Sequence, residues 1–357
     1  MSKQAKYIGM DVHKAMTVIA VLDSAGKTRA EATVETKAST LVQFLRGLEG
    51  DLHVTLEESS YSAWLYEALL PHAAQVVICD PRKNAAYIRT GNKSDRIDAH
   101  KLADLLRTNM VSAVYHGNAS GRALQELARA YGCLVEDATR VMSRLKAIYR
   151  GRGIPCGGTR VYSAQHRGKW LEQLREAGVR RRAELLYQQL DLLLPLRRQA
   201  KDALLAESRK HAVEKLLRTI PGIGPLRAAL LIALIQTPHR FRSKRQLWAY
   251  GGLAVVTQDS AEYGLVGGRI QRTKKRALVR GLNRNHNPKL KEIFKGAAAT
   301  GSACSPLWQQ FYQKRLAQGM KPELAQLTVA RKIATIVLEL WKKGERFDPQ
   351  HLNAQAA

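Results

Sequence analysis

The sequence predicts two classes of structure in one chain, an α/β domain at the start and a mainly α-helical remainder. Strand-like alternation over residues 6–35 is followed by alternating strands and helices up to about residue 110, and a heptad seam takes over from about Ala119. Charge divides at the same place. Residues 1–110 hold 14 basic and 13 acidic side chains, whereas the whole chain of 357 residues carries 58 Lys and Arg against 30 Asp and Glu. The net charge of +28 therefore lies almost wholly in the helical remainder. Such a balance suits a polyanion, with nucleic acid the first candidate. At 45% hydrophobic, the chain is long enough for two or three cores. The boundaries read as 1–110, 111–212 and 213–357.

Within the first part, YIGMDVHK is an apolar run closing on Asp11. A second strand, Thr17 to Asp23, leads into a turn at Ser24-Ala25-Gly26 and a third strand through RAEATVET. Leu41, Phe44, Leu45 and Leu48 have helical spacing. HVTLEES, from His53, is a fourth strand running into Glu57 and Glu58. A helix with Trp64, Leu65, Leu69 and Leu70 follows, then the short strand QVVICDP and a last helix in KSDRIDAHKLADLL. Three meandering strands and then strand–helix–strand–helix is the order of a ribonuclease-H-like fold.

That last helix frames the candidate chemistry. Asp95 and Asp98 are three residues apart and so face the same way. Ile97, Leu102, Leu105 and Leu106 make the apolar side. Two converging carboxylates repel unless a cation lies between them, and a hard divalent ion is the usual answer. In this fold an acid on the first strand and one at the end of the fourth join the late helix. Asp11 and either Glu57 or Glu58 occupy those places. Paired divalent ions about 3.5–4 Å apart serve phosphodiester cleavage, which explains a set of four acids.

Beyond residue 110, Leu124, Leu127, Tyr131, Leu134, Ala138, Val141, Leu145 and Ile148 fall at alternating steps of three and four. GRGIPCGGTR ends that helix, and a second helical stretch runs from about Lys169 to Leu217 with a seam through Leu186, Leu190, Leu193, Ala200 and Leu204. Two long helices joined by a Gly/Pro loop predict a coiled-coil arm, antiparallel within the chain or dimerising, or else a plain bundle. Between Arg140 and Arg182, 12 basic residues face two acidic ones, a surface for phosphate.

Ile220-Pro221-Gly222-Ile223-Gly224 then resembles the turn of a helix-hairpin-helix, in which amides at a helix N-terminus face a phosphate. From Arg269 to Lys295 there are ten basic residues and one acidic, Glu292. Arg269, Arg272, Lys274, Lys275, Arg276, Arg280 and Arg284, interleaved with Gly and Asn, read as a nucleic-acid contact. Leu307–Leu316 and Pro322–Trp341 are amphipathic helices that complete this domain, with Trp308 and Trp341 as core residues.

Cys79, Cys133, Cys156 and Cys304 are scattered, with no Cys-x-x-Cys pair and no His at zinc spacing. A disulfide framework or structural zinc is not expected on that pattern, and a reducing cytoplasm fits. With no signal-peptide core and no apolar run of about 18 residues, the chain is expected to be soluble and cytoplasmic, without a membrane partner.

YIGMDVHK, HVTLEES, CDPRKN, NKSDRIDAHKLADLL, IPGIG, YGGLAVVTQDSAEY and RGLNRNHNPKLKEIFKGAA resemble segments of the DEDD transposases of the insertion-sequence family called IS-one-ten, relatives of the Piv-type DNA invertases. The resemblance runs from about Tyr7 to Pro349. It implies a RuvC-like N-terminal domain in which Asp11, Glu57, Asp95 and Asp98 bind Mg²⁺. It also implies a catalytic serine eight residues after Gly252, which is Ser260. Its members are recombinases guided by a structured bridge RNA that pairs with donor and target DNA. They act as tetramers, dimers of dimers, in which the acids of one protomer meet the serine of another. The serine holds the DNA 5′ end covalently, and rejoining passes through a junction intermediate. A bacterial, nucleoid-associated protein is implied. Two departures stand out. The usual Glu-Ala-Thr-Gly is Glu57-Glu58-Ser59-Ser60, where matching HVTLE favours Glu57, and Ala261 follows the serine in place of the common Gly. A RuvC-like junction-resolving endonuclease that uses the acids alone, with no covalent intermediate, is the alternative.

Overall fold

A computed structural model describes residues 4–88, 94–116, 119–258, 263–266, 269–272 and 278–349. The chain divides into two compact units, residues 1–116 and 117–357.

The first unit is built on β1 (Ala5–Val12), β2 (Met16–Asp23), β3 (Thr28–Glu35), α1 (Ala38–Arg46), β4 (Asp51–Glu57), α2 (Ser62–Leu69), β5 (Gln75–Cys79), α3 (Pro81–Ile88) and α4 (Asp95–Arg107). One mixed sheet has the order β3-β2-β1-β4-β5. The first three strands form an antiparallel meander, and β4 and β5 run parallel to β1. Strand pleating sends alternate side chains to opposite faces. Ile8, Met10, Ile19, Val21, Val54 and Leu56 therefore share one face, where they pack on Leu41 and Leu45 of α1 and Leu65 and Leu69 of α2.

The opposite face carries α4. Gly9 and Ala20 pair across β1 and β2 and bring almost no side chain to this face. Ala99 and Ala103 of α4 are fully buried in return. The approach is so close that a Cβ at Gly9 would sit 2.1 Å from the Ala99 carbonyl oxygen and 2.5 Å from the Ala103 nitrogen. Small residues on both partners thus press the helix onto the strand that carries Asp11.

The second unit contains α5 (Ala119–Arg150), α6 (Arg167–Glu172), α7 (Ala177–Ser208), α8 (Val213–Leu217), α9 (Pro225–Ile235), α10 (Lys244–Tyr250), β6 (Val255–Gln258), β7 (Tyr263–Val266), β8 (Arg269–Arg272), β9 (Leu278–Leu282), α11 (Pro288–Cys304), α12 (Pro306–Ala317) and α13 (Pro322–Lys343). The expected heptad seam of α5 is buried only toward the two ends of the helix, in two separate cores. Leu124 and Ala128, with Leu204 of α7, join a large cluster made with α9, α11 and α13. Ala138, Val141, Leu145 and Ile148 join a second cluster with Ala183, Tyr187 and Leu190 of α7. Neither helix has a buried residue between these ends, from Arg129 to Asp137 or from Asp191 to Ala203. Pro195 lies inside that part of α7.

The second cluster closes over a buried polar pair. The Tyr187 hydroxyl donates to the Val161 carbonyl at 2.9 Å, which leaves it to accept from the Tyr149 hydroxyl at 3.0 Å. The Arg167 guanidinium covers the Tyr187 ring at 4.4 Å and forms two bonds to Asp191, at 2.6 and 2.8 Å.

Several details differ from the sequence reading. The stretch from Lys169 to Leu217 is three helices rather than one, interrupted after Glu172 and after Ser208. Four short strands, β6 to β9, pair as two small antiparallel sheets in a part expected to be mainly helical. The basic segment ending at Lys295 enters α11, whose Leu290, Ile293, Phe294, Ala297 and Ala298 are buried. Asn287 caps that helix, accepting from the Leu290 amide at 3.0 Å. Trp308 is fully buried and Trp341 packs partly against the same cluster.

Candidate active site

The site begins with the register between β1 and β4. Gly9 pairs with Thr55 and Met10 with Leu56. Asp11 and Glu57, two residues farther along each strand, therefore lie on the face that receives α4. Helix α4 starts at Ser94, whose hydroxyl accepts from the Ile97 amide at 3.3 Å, as an N-cap should. Asp95 and Asp98 are in its first turn, where carboxylates also complement the helix dipole.

These elements bring Asp11 and Asp95 together. Carboxylate oxygens of Asp11 and Asp95 and a ring nitrogen of His13 all lie within 4.8 Å of one another. His13 Nε2 is 3.2 Å from Asp11 Oδ2 and 3.5 Å from Asp95 Oδ2. Burial pushes the Asp11 carboxyl above its ordinary range; Asp95 and Asp98 push it further, and His13 opposes them. Asp98 is thus near enough to act on Asp11 through its charge. The Glu58 amide donates to the Cys79 carbonyl at 2.9 Å, and its side chain is exposed. Burial holds the His116 imidazole below its ordinary pKa, partly opposed by the Glu58 charge, and the His116 ring stacks on Tyr66 at 5.5 Å. Glu57 instead acts on the Cys79 thiol, which burial pushes up to about 12. The two adjacent glutamates face different surroundings.

The helix is also held from the edge of the sheet. Glu31 on β3 bonds Arg96 at 2.5 Å and also bonds His100. The two bonds, His100 first, hold the Glu31 carboxyl below its usual range. Arg96 follows Asp95, and His100 stands two residues beyond Asp98, so this clamp straddles both acids.

Sequence reasoning missed His13 and Glu31. The signal for His13 was present, because residues two apart on an extended strand share a face and Asp11-Val12-His13 has that spacing. Nothing in the spacing pointed to Glu31, whose partners lie 65 and 69 residues away.

In the second unit, Gly222 has a left-handed backbone with φ of 94°. A Cβ there would come 2.5 Å from the Ala297 carbonyl oxygen. Arg227 donates to the Gly222 carbonyl at 2.8 Å, and Trp308 Nε1 to the Pro221 carbonyl at 2.9 Å. One side of the turn is thus packed on α11, while Gly224, which precedes α9, has open space where its side chain would be. Ser260, Lys274, Lys275 and Arg276 lie outside the described residues. Arg269 on β8 and Arg284 after β9 are exposed, and Arg272 and Arg280 belong to the same two strands.

Two family models match the chain. Residues 8–151 match a DEDD transposase model, and residues 214–313 match that of the transposase IS116/IS110/IS902 family. The chain belongs to the IS110 transposase family. A Sinorhizobium fredii protein, y4qE, described as a transposase, is 24% identical over 269 residues. That alignment spans 72% of this chain and 65% of the relative. The IS110 model ending at residue 151 contains Asp11, His13, Glu57, Asp95 and Asp98 together, and the second model contains Ser260 and the arginine-rich strands. No described helix is long and apolar enough to cross a membrane.

Proposed function

We propose that the chain is a Mg²⁺-dependent DNA recombinase of an insertion sequence, guided by a structured bridge RNA. The observation that carries this reading is the convergence of Asp11, Asp95 and His13 under the added charge of Asp98. A half-buried carboxylate among two others has an unmet need for positive charge, and oxygen donors fit a hard divalent ion. Asp11, Glu57, Asp95 and Asp98 hold the metal in this reading, with His13 as a further donor. A divalent ion held by these residues would supply the positive charge that activates an attacking oxygen and stabilises a leaving one.

The remaining steps belong to the chain's own residues. Ser260 attacks phosphorus through its hydroxyl oxygen. The P–O3′ bond breaks, the DNA 5′ end stays on the serine, and the serine's proton passes through solvent to the departing 3′ oxygen. Attack by a 3′-hydroxyl of another strand on the seryl phosphate reverses the step and returns the proton to Ser260. Arg269, Arg272, Lys274, Lys275, Arg276, Arg280 and Arg284, with the amides around Gly222 and Gly224, hold phosphate backbone. Base pairing with the guide reads sequence, as in other RNA-guided systems. A tetramer, built as a dimer of dimers, joins the acids of one protomer to the serine of another.

The deciding experiment incubates the full-length protein with its element's flanking transcript, labelled donor and target duplexes and Mg²⁺, then separates the products on a denaturing protein gel. A labelled adduct present in wild type and lost in Ser260→Ala is expected. Cleaved DNA without any adduct would move the assignment to a junction-resolving endonuclease that uses the acids alone.

Metal binding has its own readout. Folded Asp11 keeps its proton to higher pH than unfolded Asp11 does. The metal-free fold therefore loses stability as pH rises from the usual carboxylate range through the raised value. Protons and Mg²⁺ compete for the same oxygens, so the Mg²⁺-induced rise in Tm should grow over that window. At ten times its Kd, Mg²⁺ should add roughly 1.4 kcal/mol. An unchanged Tm at saturating Mg²⁺ throughout that range would refute a preformed metal site.

A further inference from the structure

A cavity of about 310 Å³ lies between α5 and α7, lined by Tyr131, Leu194, Arg197, Arg198 and Lys201. It belongs wholly to the second unit and, apart from Tyr131, to residues between the two family matches. Three cations share the turn of α7 that follows Pro195. Arg197 and Lys201 are four residues apart, a spacing at which like charges destabilise a helix. Among the described residues, none of the three has an ion pair. The other acids of α7 are engaged elsewhere: Glu184 with Arg181, Asp191 with Arg167 and Glu207 with Lys210. Asp202 is exposed beside Lys201 in sequence. On the facing stretch of α5, Glu126 pairs with Arg129 and Glu136 with Lys289. Arg197 and Tyr131 are half-buried while Arg198 and Lys201 are exposed, so one of the three charges is recessed in the cavity and the other two stand at its rim.

We propose that this cavity is an anion site that takes a phosphate group, supplied by the backbone of a bound nucleic acid. Arg197 and Lys201 neutralise the phosphate, Arg198 adds a donor from the rim, and the Tyr131 hydroxyl can donate to a phosphate oxygen. Guanidinium groups match phosphate geometry, and each neutralised phosphate releases condensed counterions. The anion site rests on the cavity alone; its nucleic-acid source rests on the recombinase reading.

The test measures affinity of the full-length protein for a labelled duplex DNA and a single-stranded RNA over a range of salt. It compares wild type with R197Q/K201Q and with the charge-keeping exchange R197K/K201R. Loss of this one phosphate contact should flatten the slope of log affinity against log salt by about 0.9 for duplex or about 0.7 for a single strand. The charge-keeping variant should retain the wild-type slope. Calorimetric titration with inorganic phosphate, on the same proteins, separates the sources. Weak phosphate binding that disappears in R197Q/K201Q together with the slope supports the proposal. Phosphate binding lost while both slopes stay unchanged would overturn the nucleic-acid source and leave a free-anion site. No change in either measurement would overturn the site. Because the assay reads binding only, failure of Ser260 or of the acids in catalysis would not affect it.

Discussion

Asp11→Asn is expected to abolish DNA strand transfer while the protein still binds nucleic acid. The exchange keeps the shape of the side chain and removes a charge within 4.8 Å of the Asp95 and His13 ligand atoms. Losing several kcal/mol of charge stabilisation at the reacting phosphate costs tenfold in rate for each 1.4 kcal/mol. A fall of about a thousandfold or more should follow. The same exchange should raise the Tm of the metal-free protein, because it relieves a carboxylate that burial and two neighbouring acids already disfavour. Opposite signs in the two measurements distinguish a site built for a cation from a structural ion cluster. Strand transfer within tenfold of wild type would remove Asp11 from the chemistry.

The second large effect comes from a residue with no functional group. Gly9→Ala should destabilise the first unit and disable the site together, because the new methyl would meet backbone atoms of α4 on contact. Backbone cannot swing aside as a flexible side chain can, so the cost should reach the upper end of the usual 1–3 kcal/mol for overpacking, or about 3 kcal/mol. Separating α4 from β1 also carries Asp95 and Asp98 away from Asp11. A displacement of about 1 Å can cost on the order of a hundredfold in rate. The check is a denaturant titration beside a strand-transfer assay at a temperature where the variant is still folded. A variant with unaltered stability would show that helix and strand are not in the contact described.

The five strands and three of the first unit's four helices, α1, α2 and α4, are legible because they obey simple periods. β1 to β5 alternate or run apolar between turn residues, and α1, α2 and α4 show one apolar face each. The grouping of Asp11 with Asp95 and Asp98 was legible for the same reason, since strand ends and a helix start fix where those acids project. What escaped depends on other information. α3 is one short helix, PRKNAAYI, with little apolar periodicity to mark it. The strands β6 to β9 are four or five residues each, too short to show a period. The apolar positions of α11 were masked by Lys289, Lys291 and Lys295 among them, which read as a phosphate-binding run. A lone histidine after an acid has many ordinary uses, and only the fold shows that His13 stands between two carboxylates.

The spacing of the two cores along α5 and α7 has a mechanical meaning. Each helix is 32 residues long and is anchored by buried side chains only toward its ends. Local stability follows burial, so the span between the anchors opens more readily than either end. Pro195 withholds an amide from the Asp191 carbonyl in that same span, which lowers the cost of bending there. The helical pair is therefore a strut with two stiff ends and a compliant middle. Load applied at the tyrosine-sealed end would be taken up as flexure around Pro195 before it strained the packing near Leu124 and Leu204.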